Sequence, residues 1–167
     1  MASSRENQDI VIHITKNFKG VNISELKVKK LAKSLCKRFA GHKPADTKHE
    51  ISIAIVGDDE IRELNKQFLK SKAVTDCLSF DLSDDEEGRK VFDIVVNGEM
   101  AVRQANLRGH SSQAELTLYI THGLLHQFGF DDSAKSRARK MHQTEDEILQ
   151  EFGYGPVYNK STGPKEH

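Results

Sequence analysis

Two histidines four residues apart, His122 and His126, followed by Gly129 and then Asp132, are the residues of this chain best suited by type and spacing to chemistry. On a helix, a spacing of four puts both imidazoles on one face, one turn apart. Gly129 is a natural helix stop, because glycine takes the left-handed terminating conformation at no steric cost. The returning chain then brings a carboxylate, Asp132. Two helical nitrogens and a third ligand from the following loop make a metal site with an open coordination position. His122, His126 and Asp132 are therefore the expected ligands, and an open position is what metal-assisted hydrolysis needs. The competing reading is a pair of buried structural histidines, since Leu116 to Ile120, just upstream, is strongly apolar.

The elements that must position this stretch follow from periodicity. Gln8 to Thr15 alternates, with Ile10, Ile12 and Ile14 on one face, and reads as a strand. Ser24 caps a helix to about Phe39, ended by Gly41, with Val28, Leu31, Ala32, Leu35 and Phe39 inward. After a loop from Ala45 to His49, Glu50 to Gly57 is a second strand. Asp58 or Asp59 caps a short helix with Ile61, Leu64 and Phe68 inward. Lys70 to Thr75 connects to a third strand, Cys77 to Leu82. An acidic turn, Ser83 to Lys90, joins it to a fourth, Val91 to Asn97. The rest is helical: Glu99 to Leu107, a central helix opened by a Ser112/Glu115 capping box, and a last helix from Ser133 to about Phe152. The expected fold class is α/β, a single layer of about four mixed strands with packed helices and the metal site on a central buried helix. Residues 1–152 form one domain in this reading, and 153–167 a loose tail.

The chain has 167 residues, 37% hydrophobic and 30% charged, which suits one soluble globular domain. No apolar run reaches the roughly 18 residues of a membrane span, and the polar N-terminus shows no secretory pattern, so a cytoplasmic location is expected. Two cysteines, Cys36 and Cys77, read as buried thiols without a disulfide partner. Net charge is zero, yet ten basic residues against Glu25 and Asp46 lie between Lys16 and Lys48. Such asymmetry marks a phosphate-binding side or the solvated face of one helix.

The pattern His-x3-His-x2-Gly-x2-Asp is shared with zinc peptidases that begin His-Glu-x-x-His. Here Gly123 stands where those enzymes keep a catalytic glutamate, and a gain of space beside the metal is the expected reason. A second resemblance is broader. His122, Gly123, Leu125, His126, Gly129, Phe130 and Asp131 match the signature of the YbeY-type endoribonucleases. Leu64-Asn65, Thr75-Asp76-Cys77-Leu78-Ser79-Phe80 and Asp93-Ile94-Val95-Val96 resemble further segments of that family. So do Gln104-Ala105 and Glu115-Leu116, in collinear order over roughly residues 50 to 150. The resemblance implies a YbeY-like metallohydrolase domain that cuts single-stranded RNA with one divalent ion, most often zinc. It also implies ribosomal RNA 3′ end maturation, ribosome quality control, and RNA and the ribosome as partners.

Three positions depart from the family pattern. Asp132 replaces a third histidine, which suits harder ions such as manganese as well as zinc. Leu69 replaces an arginine suited to gripping phosphate. Phe92 replaces a glycine. The expected catalytic pair is His122 and His126 through the metal, with Lys70, Thr75 and Asp76 binding substrate in a groove between the histidine helix and the Phe68–Asp76 connection. Asp131 is either a partner of a ligand histidine or part of the turn. His110 is the one other histidine expected to approach the site, the rest being surface or structural. The alternatives are an RNA- or ribosome-binding protein of the same fold with weak or lost catalysis, and a metallopeptidase. A monomer is expected.

Overall fold

A computed structural model describes residues 10–40, 47–84, 88–155 and 157. Four strands form one sheet: β1 (Ile10–Lys16), β2 (Lys48–Val56), β3 (Cys77–Asp81) and β4 (Arg89–Asn97). Their order is β1-β2-β4-β3. β1 and β4 flank β2 in parallel, and β3 pairs with β4 antiparallel. The expected mixed sheet is therefore present. The five helices are α1 (Glu25–Phe39), α2 (Asp58–Leu69), α3 (Gly98–Arg108), α4 (Ser112–Gln127) and α5 (Lys135–Glu151). None of the described helices is long and apolar enough to cross a membrane.

Strand alternation decides which helix packs where. Ile51, Ile53 and Ile55 of β2 and Phe92, Ile94 and Val96 of β4 share a face and a core with Leu31, Leu35, Ile120 and Leu124 of α1 and α4. The opposite parity gives a smaller core, where Val56 and Leu78 meet Ile61 of α2. Each such Ile or Leu contributes about 1.5–3 kcal/mol on full burial. α4 is buried along almost its whole length, from Ala114 to Thr121 and again from Gly123 to Leu125. A helix buried all round belongs at the centre of a domain.

Gly123 explains how closely α4 lies on the sheet. A β-carbon there would stand 2.7 Å from Cys77 Sγ of β3 and 2.9 Å from Ile94 Cγ2 of β4. The expectation of space for substrate is corrected: the missing side chain makes room for the sheet. Burial pushes the Cys77 thiol well above its ordinary pKa and lifts that of Cys36 to about 12, so both are free, unreactive thiols.

Several expected caps move. Ser24 caps α1 as expected, its side chain accepting from Lys27 N, while Gly41 lies outside the described residues. Gly57, not Asp58 or Asp59, precedes α2 without a side-chain cap. Asp58 is instead held by Arg103 of α3 and by Asn97. Ser111 rather than Ser112 caps α4, accepting from Ala114 N. Glu115 is thus not a capping-box acid but a buried side chain. Ala134 precedes α5, and Ser133 belongs to the turn before it. Of the segment expected to be a loose tail, only residues 153–155 and 157 lie among the described residues. Val157 is 1% exposed, with its carbonyl accepting from Arg108 and its N–H donating to Asp146.

Candidate metal centre

α4 carries His122 and His126 one turn apart, His122 lining a cleft, and Gly129, with φ of +97°, turns the chain so that Asp132 comes back beside them. The two Nε2 atoms are 3.1 Å apart, and Asp132 Oδ2 is 4.0 Å from His122 Nε2. One ligand atom from each of the three residues lies within 4.8 Å of the other two. Tetrahedral zinc with Zn–N bonds of about 2.0–2.1 Å separates two nitrogens by roughly 3.3 Å. The imidazole pair matches that spacing, and the donor set of two nitrogens and one carboxylate suits a divalent ion.

The partner that orients His122 is a residue the sequence did not reveal. Glu145 of α5 is 1% exposed, and its Oε2 lies 2.6 Å from His122 Nδ1. Its other oxygen is 2.8 Å from His142 Nδ1. A proton on His122 Nδ1, donated to Glu145, leaves the Nε2 lone pair for a metal. Burial of the ring opposes its protonation. The hydrogen bond and charge of Glu145, helped by Asp76 and Asp132, outweigh burial and hold the His122 pKa above its ordinary value.

A cleft of about 510 Å³ opens over these groups, walled by α3, α4, α5 and the Asp132 loop. From the Phe68–Asp76 connection only Asp76 reaches it, which corrects the expected groove. Thr75 stands one residue back, its hydroxyl 3.4 Å from Asp76 Oδ1. Lys70 lies elsewhere, exposed, as the left-handed cap of α2 at φ 55°. Leu69 is likewise exposed. The guanidinium on the cleft wall belongs to Arg108, 3.3 Å from each carboxylate oxygen of Glu115.

Glu115 is buried and also accepts from His110 and Tyr119. His110 therefore meets Glu115, not the His122, His126 and Asp132 group. Asp131 belongs to the turn, accepting from Ser133 and Arg137, which hold its carboxyl below the usual carboxylate range. His142, read from sequence as surface or structural, lines the cleft with its side chain 18% exposed.

The family model described as Endoribonuclease YbeY matches residues 13–153. An "Endoribonuclease YbeY" of Macrococcus caseolyticus is 36% identical over 115 residues, covering 65% of this chain and 75% of that protein. One from Halalkalibacterium halodurans is 33% identical over 122 residues, covering 66% of this chain and 77% of the relative. The solution structure of TM1509 from Thermotoga maritima is similar with a TM-score of 0.57 and 25% identity, covering 93% of this chain and all of that one.

Proposed function

The chain belongs to the Endoribonuclease YbeY family, and from that premise we propose that it is a metal-dependent endoribonuclease acting on single-stranded RNA. Its proposed setting is ribosomal RNA 3′ end maturation and ribosome quality control in the cytoplasm, with the ribosome as partner. The observation that carries the metal dependence is the convergence of His122, His126 and Asp132 within 4.8 Å at the mouth of a cleft. These three residues would hold the ion. When bound, it supplies Lewis acidity at a phosphate oxygen and lowers the pKa of water. Zinc fits the donors, and Asp132 extends the fit to manganese.

The protein's own groups divide the remaining work. Glu145 fixes the His122 tautomer and ring orientation. Four carboxylates line the cleft. Glu115 is taken by Arg108 and His110, Glu145 by two histidines, and Asp132 by the proposed ion. Asp76 is left, with the Thr75 hydroxyl as its neighbour. We assign it the proton released as the attacking oxygen bonds to phosphorus. Gly123 leaves no glutamate on α4 for the peptidase role.

The test is metal content and cleavage of single-stranded RNA, wild type beside His126→Ala. About one zinc or manganese per chain, with cleavage, both lost in the variant, is expected. RNA binding without cleavage under any divalent ion would replace the enzyme by a binding protein of the same fold, a reading favoured by Leu69.

A further inference from the structure

The first six residues of α5 carry four cations, Lys135, Arg137, Arg139 and Lys140, all exposed. Positive charge at a helix N-terminus opposes the helix dipole. No acidic residue occupies that first turn, and no side chain caps it. Lys135 and Arg139 are like charges at i, i+4, which repel. Among the described residues, only Arg137 of the four forms an ion pair, 2.8 Å from Asp131 Oδ1. The chain as a whole has no net charge, so the cluster is not background. Helix stability does not explain these cations.

Two of them face aromatic side chains. A notch of about 300 Å³ is lined by Phe128, Phe130, Asp131, Arg137 and Lys140. Both rings are fixed by edge contacts, Phe130 at 5.2 Å from Phe39 and Phe128 at 5.7 Å from Phe92. Arg137 is braced by Asp131 and by Ser133 Oγ at 3.0 Å. Aromatic walls beside cations are how proteins hold a single strand, with bases on the rings and phosphates on the charges. Asp131 lines the notch and Asp132 the metal cleft, so one loop contributes consecutive residues to both.

We propose that this notch is a nucleotide subsite for single-stranded RNA whose scissile phosphate lies in the metal cleft. Arg137 and Lys140 take backbone phosphate, and Phe128 and Phe130 the base. The subsite rests on the endoribonuclease reading and supplies the phosphate grip that Leu69 cannot.

The test uses metal-free protein and an oligouridylate of about 12 nucleotides, within the site sizes of such surfaces. Affinity is measured against salt for wild type, Lys140→Gln and Arg137→Gln/Lys140→Gln. Each lost phosphate contact lowers the log–log salt slope by about 0.7, so a decrease of about 1.4 is expected for the double variant, with roughly tenfold weaker binding. A thermal melt reports whether the double variant folds. Should it not fold, Lys140→Gln, which removes no side-chain bond of the described residues, must still lose about 0.7 of slope. Unchanged affinity and slope in variants of a protein that cleaves RNA would overturn the subsite alone. A wild type that neither binds nor cleaves RNA would overturn the endoribonuclease reading with it.

Discussion

Glu145 and His122 stand 23 residues apart in sequence and 2.6 Å apart in space, the carboxylate of α5 against the Nδ1 of α4. This contact joins the last helix to the central one at the metal centre. Removing its charge should disturb the site before it disturbs the fold.

Glu145→Gln keeps the shape but weakens the acceptor for His122 and His142. Partners of this kind are worth 10–100-fold in metal affinity. A rise of that size in the zinc dissociation constant is expected by competition with a chromophoric chelator. Unchanged affinity would remove Glu145 from the metal site.

Asp132→His replaces the proposed anionic ligand by a neutral one. Zinc affinity should rise relative to manganese, and the pH midpoint of cleavage should fall, because the site carries less negative charge. Metal competition and a pH–rate profile check both. An unaltered zinc-to-manganese preference would show that Asp132 is not a ligand.

Asp76→Asn should lower kcat for RNA cleavage by about 10²–10⁴ while leaving metal content unchanged. A variant of full activity would free Asp76 from the proton role.

Gly123→Ala gains about 1 kcal/mol of helix propensity. Its new β-carbon would meet Cys77 Sγ at 2.7 Å, and overpacking of this kind costs about 1–3 kcal/mol. A net loss of up to about 2 kcal/mol is expected in denaturant titration, partly restored in Gly123→Ala/Cys77→Ala. A more stable single variant would refute the contact.

Asp58 gives a pH signature outside the site. Hydrogen bonding to Arg103 outweighs burial and holds its pKa below the ordinary value. A depressed carboxyl stabilises the fold above its unfolded pKa of about 3.9 and loses that contribution as pH falls through the folded value. Arg103 is 48% exposed, so the pair contributes about 0.5–1 kcal/mol. Arg103→Gln should be less stable by that amount at neutral pH, with the gap closing below about pH 4. A gap of constant size down to strong acid would exclude the pair as its source.

That His122, His126 and Asp132 come together was legible because the information is local. His122 and His126 share a helix face by spacing alone, and Gly129 announces the turn that brings back Asp132. The mixed pairing followed from the position of the hairpin, but the strand order β1-β2-β4-β3 did not. Glu145 was hidden in an acidic run, Glu145-Asp146-Glu147, that reads as solvated surface. A signal existed: Glu145 lies four residues after Met141 and three before Ile148, in phase with the buried stripe. The cap of α4 was misplaced by one residue because Ser111 and Ser112 are adjacent and Glu115 offers capping-box spacing only to the second. Nothing local reveals that Lys70 closes α2 in a left-handed turn, exposed and outside the lining of the cleft.

The contact of Gly123 with Cys77 and Ile94 also bears on what this fold can evolve into. A glutamate at position 123 would supply the base of a zinc peptidase, and a single codon change separates the two residues in the genetic code. In this protein that step runs through the sheet: the new side chain would drive α4 away from β3 and β4 and carry His122 and His126 with it. The neighbouring thiol and the isoleucine would have to shrink first, each with no benefit of its own. Packing at Gly123 therefore weighs against the step from nuclease-like to peptidase-like chemistry, independently of any selection on the reaction.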